Sequence, residues 1–205
     1  IQSAGNITAT NATLSAGQNI TQTGGSIAAT NTVAKAGADL SLASELNKLQ
    51  NVSVDAQNGS AIIVSGNDVA GELNVQTIGV VGKDWTITNV ANGEDNEIKV
   101  NNNLKAKGNI TITNEEAAIN VAEGTSMSGS SVTLTATADD VVVDGGDISA
   151  TTGSIAFVAG NNVTINTGKL TAAQNVDLQA DKDVTVNNGV ISATAGSVNM
   201  NAVND

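Results

Sequence analysis

Short apolar centres recur along the chain at a nearly constant interval. In the N-terminal segment Ile7, Leu14, Ile20, Ile27, Val33 and Leu40 lie 7, 6, 7, 6 and 7 residues apart, so three steps make a period of about 20. The C-terminal stretch aligns as three units of 22, 21 and 22 residues: VVVDGGDISATTGSIAFVAGNN (141–162), VTINTGKLTAAQNVDLQADKD (163–183) and VTVNNGVISATAGSVNMNAVND (184–205). Between these regions the pattern continues with small slips, through Ile98, Leu104 and Ile110 and then Ile119, Met127 and Val132. Inside each centre apolar and polar residues alternate: Val163 and Ile165 flank Thr164, Val176 and Leu178 flank Asp177, and Val184 and Val186 flank Thr185. Alternation of β-branched side chains predicts short strands with one buried face. Helix is disfavoured, because Thr, Asn, Ser and Gly fill the gaps and no stripe of helical period runs through them.

Strands this short cannot stand alone, and a hairpin at every apolar centre would leave almost no strand. Stacking solves both problems. If the chain turns a corner at each Gly/Asn cluster, three strands complete a coil, and the next coil pairs with it in parallel at about 4.8 Å. The expected fold is all-β: a single-stranded parallel β-helix of right-handed sense, continuous over residues 1–205. About ten coils of 20–22 residues, each with three short strands, would make a rod of roughly 45–50 Å. Val163, Ile165, Leu170, Val176, Leu178, Val184, Val186, Ile191 and Val198 are the expected inward core positions, and Ala150, Ala172 and Ala193 recur where little room remains. Asn101, Asp144, Asn166 and Asn187 fall three residues after the start of a coil, with Gly124, Gly146, Gly168 and Gly189 at the corners. These residue types suit sharp turns, and amides stacked there form a hydrogen-bonded ladder.

The regularity breaks at 44–97. LASELNKLQ (42–50) reads as a helical turn or a polar strand. AIIV (61–64), ELNV (72–75), IGVV (78–81) and DWTI (84–87) are strand-like but unevenly spaced, which suggests irregular coils with a longer loop or an extra-helical hairpin. Trp85 lies here and is the candidate binding residue, as a sugar-stacking platform; packing is the alternative.

Composition narrows the chemistry. The 205 residues include no Cys, His, Pro, Tyr or Arg, one Trp and one Phe, and no apolar run long enough for a membrane-spanning helix. Thiolate and imidazole chemistry is therefore absent. Eight Lys against twenty Asp and Glu give a net charge of −12, which disfavours nucleic acid and anionic membranes as partners. The chain begins at Ile1 with no signal-peptide pattern and reads as a mature or excised piece of something longer.

The recurring AGQNITQ (16–22), KGNITIT (107–113) and AGNNVTIN (159–166) resemble the repeats of filamentous-haemagglutinin-like exoproteins, the large adhesins exported by two-partner secretion. The resemblance covers most of the chain outside the irregular middle. It implies a β-helical shaft, secreted or held at the bacterial cell surface, exported through an outer-membrane secretion partner. The secretion domain of that family carries Asn-Pro motifs, and a polypeptide without Pro corresponds to shaft rather than export signal. The expected function is thus a rigid segment that displays distal modules. The alternatives are a filament subunit stacking end to end on itself, or a segment binding a host surface glycan or protein through 44–97.

An enzymatic β-helix would need carboxylates gathered on one face. Asp139, Asp140, Asp144 and Asp147, with Asp181 and Asp183 in neighbouring coils, come nearest, but their periodic placement argues for corner structure. DGGD (144–147) occurs once, unlike a repeating calcium-binding roll. No catalytic, cofactor-binding or metal-binding residue is assigned. Sequons begin at Asn6, Asn11, Asn19, Asn51, Asn58, Asn109 and Asn162, as a repeat written N-I-T produces automatically. Outward Thr164, Thr185, Ser149, Thr171 and Ser192 are read as a solvated β-face rather than a glycan- or ice-binding one.

Overall fold

The computed structural model describes residues 2–3, 5–66, 71–90 and 96–203. They form parallel strands and turns, with no helix. Three sheets run along the stack as its walls. The first has ten strands, from Gln2–Ser3 to Val198–Ala202; the second has nine, from Ile7–Ala16 to Val184–Val186; the third has five, from Leu104–Lys105 to Val190–Ala193. Each strand pairs with its equivalents one coil before and one coil after, so the expected parallel β-helix is the fold. It makes about eight complete turns rather than ten, because the first of the nine intervals in the longest sheet is opened by a strand of only two residues.

Coils of three short strands occupy only the C-terminal part. In the first four coils the second and third walls merge into single strands of 9 or 10 residues, such as Ile27–Ala36. The burial of that strand shows how one segment serves two walls. Ile27 and Ala29 point inward, Thr30 and Asn31 both point outward, and Thr32, Ala34 and Ala36 point inward again. Two successive outward residues bend the chain without interrupting its pairing. The β-branched and small residues there tolerate the bend, whereas the glycines at the later corners break the strand.

The interior is made of columns. One inward column of the first sheet runs Ala61, Trp85, Ile110, Val132, Ile155, Val176 and Val198, and the next runs Ile63, Ile87, Ile112, Leu134, Phe157, Leu178 and Met200. Val163, Ile165, Leu170, Val176 and Leu178 are buried. Val184, Val186, Ile191 and Val198 stand in the same columns but are not enclosed; Val186 is 37% and Val198 39% exposed. They belong to the last described coil, which has a neighbour on one side only. Ala150, Ala172 and Ala193 are in register, as their recurrence suggests.

The irregular stretch belongs to the stack. Lys48–Ala56, Ala61–Ser65, Leu73–Val81 and Trp85–Asn89 all pair with coils on either side. ELNV and IGVV belong to one strand whose register slips against its neighbour beyond Val54, which is why their spacing looks uneven. LASELNKLQ is a turn between two strands, closed by a buried Asn47. No extra-helical hairpin occurs among the described residues; 67–70 and 91–95 lie outside them.

Candidate functional site

The polar side chains in regular array are at the corners, and each array ties one coil to the next. Asn31 Nδ2 donates to Asn11 Oδ1 at 2.8 Å, and Asn51 Nδ2 to Asn31 Oδ1 at 3.0 Å. In the C-terminal coils Asn166 Nδ2 donates to Asp144 Oδ1 at 2.7 Å and Asn187 Nδ2 to Asn166 Oδ1 at 3.1 Å. Asn101 does not join that row. Its amide donates to Asn74 Oδ1 at 2.6 Å, and Ala122, which cannot hydrogen-bond through its side chain, stands between it and Asp144.

The middle residue of this corner takes a left-handed backbone: Gly145 has φ 86°, Thr167 67° and Asn188 55°. For a β-branched residue that conformation costs about 1–2 kcal/mol. Thr167→Gly is therefore expected to raise stability by up to about 1 kcal/mol, the remainder being lost to the greater freedom of glycine in the unfolded state. Chemical denaturation of the two proteins checks this, and a loss of stability would show that Thr167 makes compensating contacts.

A second array sits one residue before each strand. Asn19 Oδ1 accepts the N–H of Asp39 at 3.1 Å, Asp39 Oδ1 that of Ser60 at 3.0 Å, and Asp84 Oδ1 that of Asn109 at 2.7 Å. Asn175 Oδ1 accepts Ser197 N–H at 3.0 Å, and on the second sheet Asp140 Oδ1 accepts Asn162 N–H at 2.8 Å. A corner N–H has no strand partner in its own coil, so a short acceptor from the coil below satisfies it. This explains the G-N-I-T writing of the repeat. At 107–113, Gly108 leaves room where a Cβ would stand 2.3 Å from Asp84 Oδ1; Asn109 takes the capping position, Ile110 turns inward and Thr111 outward. Sequence reading singled out the first array but missed the second, although its signal was the Asn, Asp or Ser before nearly every strand.

The acidic residues do not converge. Asp139 accepts from Asn161 Nδ2 at 3.3 Å and Asp140 caps Asn162 at the corner between first and second sheets. Asp144 sits in the ladder at the next corner, and Asp147 opens a third-sheet strand in register with Lys169. No group of three metal-ligating side chains occurs among the described residues. Trp85 is fully buried, so its indole is a core side chain and presents no face to a sugar, contrary to the surface role expected from its place in the irregular stretch. Outward packing would leave the indole in water, whereas Ala61 beneath it in the same column leaves space for it inside.

A shallow groove of about 550 Å³ lies on the second sheet, lined by Glu72, Glu97, Lys99, Asn101, Asn120 and Asp144 among others. Lys99 pairs with Glu72 and stands 3.5 Å from Glu97, which also accepts from Asn120 Nδ2 at 2.8 Å. The hydrogen bond to Glu72, with the charges of Glu72 and Glu97, holds the Lys99 ammonium above its ordinary pKa despite partial burial. A raised folded pKa stabilises below the unfolded value, and that stabilisation disappears as pH rises through the folded one. Lys99→Met is thus expected to lose under about 1 kcal/mol at neutral pH. The difference should close at strongly alkaline pH, as read from urea midpoints at both; a gap that persists there would point to packing instead.

No protein-family model, curated protein or solved structure matches this sequence.

Proposed function

We propose that this protein is a rigid shaft segment of a large fibrous exoprotein, secreted or held at a bacterial cell surface and exported with an outer-membrane secretion partner. One observation carries the reading: the polar side chains that recur in order are spent on bonds between adjacent coils, to the neighbouring side chain in one array and to the neighbouring backbone in the other. Pairing runs from Gln2 to Ala202. Nine steps at ~4.8 Å make a rod of roughly 43 Å. Such a stack resists bending because successive coils are held together by strand ladders and core columns along its length and by corner amides at many of the steps. The repeat resemblance to filamentous-haemagglutinin-like exoproteins adds the surface location and the export route.

The test is the intact mass of the polypeptide in its native source. A mass far above that of the 205 residues fits a shaft; a mass equal to it removes the shaft reading. Continued export after removal of the outer-membrane partner would remove the secretion route alone. A second reading, end-to-end stacking of copies, draws on the last described coil, where Val190 is 57% and Met200 56% exposed along unpaired strand edges. Those edges fit any coil, of this protein or another. Sedimentation velocity across a concentration series separates the two, since only self-stacking gives species longer than one rod.

A further inference from the structure

Two Asn-Gly pairs lie in described turns, and the fold treats them in opposite ways. At Asn58–Gly59 both reacting groups are tied down: the Gly59 N–H donates to Ala56 O at 3.3 Å, and Asn58 Nδ2 donates to Gly37 O at 2.9 Å. At Asn188–Gly189 neither is. Asn188 is exposed, and among the described residues its side chain has no hydrogen-bond partner and the Gly189 N–H no acceptor. The same freedom of the glycine N–H recurs at Gly146 and Gly168, so it comes from the corner and not from the place of the coil in the stack. Those two corners carry Gly145 and Thr167 where this one carries Asn188. Glycine itself is required here, because a Cβ would stand 2.7 Å from Ile165 Cγ2.

We propose that Asn188 is a site of spontaneous, sequence-specific deamidation. The Gly189 backbone nitrogen gives up its proton and attacks Asn188 Cγ; the new bond from that nitrogen to Cγ forms as the Cγ–Nδ2 bond breaks and ammonia leaves. Water then opens the resulting succinimide at either carbonyl, giving aspartate or isoaspartate. No enzyme, oxidant or cofactor takes part. The product places a new carboxylate beside Asn187, whose amide is the outermost rung of the row through Asn166 and Asp144. In the isoaspartate product the backbone also gains a carbon at a corner whose left-handed turn depends on residue spacing.

The protecting pair at Asn58–Gly59 must be broken before that site can react, and two net hydrogen bonds amount to roughly thirtyfold in rate. The test incubates the folded protein at mildly alkaline pH and follows the amide-to-acid mass gain by peptide mapping, with an isoaspartate-specific methyl-transfer assay as second readout. Conversion of the peptide holding Asn188 is expected to outpace that of the peptide holding Asn58 by about that factor. In denaturant the two rates are expected to converge. Asn188→Thr should abolish the faster signal, and Thr167→Asn, which puts the same dipeptide before Gly168, should add a new one. Equal rates in the folded protein, no conversion at Asn188, or no gain in the Thr167→Asn variant would each overturn the proposal.

Discussion

Replacing Trp85 with alanine is expected to cost about 3–5 kcal/mol, the largest single loss available in this molecule. The indole is the biggest buried side chain, and it fills the space over Ala61 in a column that otherwise holds aliphatic residues. Alanine at both levels would leave two adjacent coils facing a void that rigid walls cannot collapse into. Trp85→Phe is expected to lose less than half as much. The Nε1 hydrogen of Trp85 is buried without an acceptor among the described residues, an arrangement that already costs about 1–3 kcal/mol, and phenylalanine removes that penalty while keeping most of the volume. Urea unfolding followed by far-UV circular dichroism measures both variants. Equal losses would mean that the volume phenylalanine retains contributes nothing at this site.

The second large effect is expected at Ile165→Ala, about 2–5 kcal/mol. Ile165 is completely buried between Val143 and Val186 of the adjoining coils, and its γ2 methyl packs where Gly189 has no side chain. The distribution of the loss is as informative as its size. In a stack where each coil touches only its neighbours, protection from hydrogen exchange should fall most in the strands around 143, 165 and 186, and little at Ile63 or Ile87. A uniform fall from end to end would show instead that the rod unfolds as a single cooperative unit and would reject the nearest-neighbour description.

Much of this architecture is legible in the residues. Alternation around Thr164, Asp177 and Thr185 marks the strands, the spacing of Ile98, Ile119, Val141 and Val163 marks the coils, and Asp144, Asn166 and Asn187 mark a corner. The signal is strong because a translational stack repeats its environment, so the same chemistry is demanded at each pass. Three features were not legible. The merged walls of the first coils look like pairs of separate apolar centres, since Ile7 and Leu14 are spaced as two strands are, and only pairing along Ile7–Ala16 shows one strand with a bend. Trp85 reads equally as core or surface, and the answer lies with Ala61, about a coil away in sequence. The amides at Asn47, Asn89 and Asn114 look like loop residues, yet all three are buried. Asn47 bridges Gln22, Leu42 and Val64, while Asn114 bonds the carbonyls of Asn96 and Ala118.

Local pattern by itself determined strand, corner and period, because each depends on residues within a few positions of one another: inward Ile and Val, outward Thr, and turn-forming Asn and Gly. Tertiary structure alone decided which side chains face each other across coils. That settled the number of turns, the register slip beyond Val54, the capping of one coil by the Asn or Asp of the last, and the burial of Trp85 and the interior amides. The physical reason is distance along the sequence. A residue meets its partner in the stack some twenty positions away, and a one-residue slip in any intervening corner changes the partner without changing the local pattern.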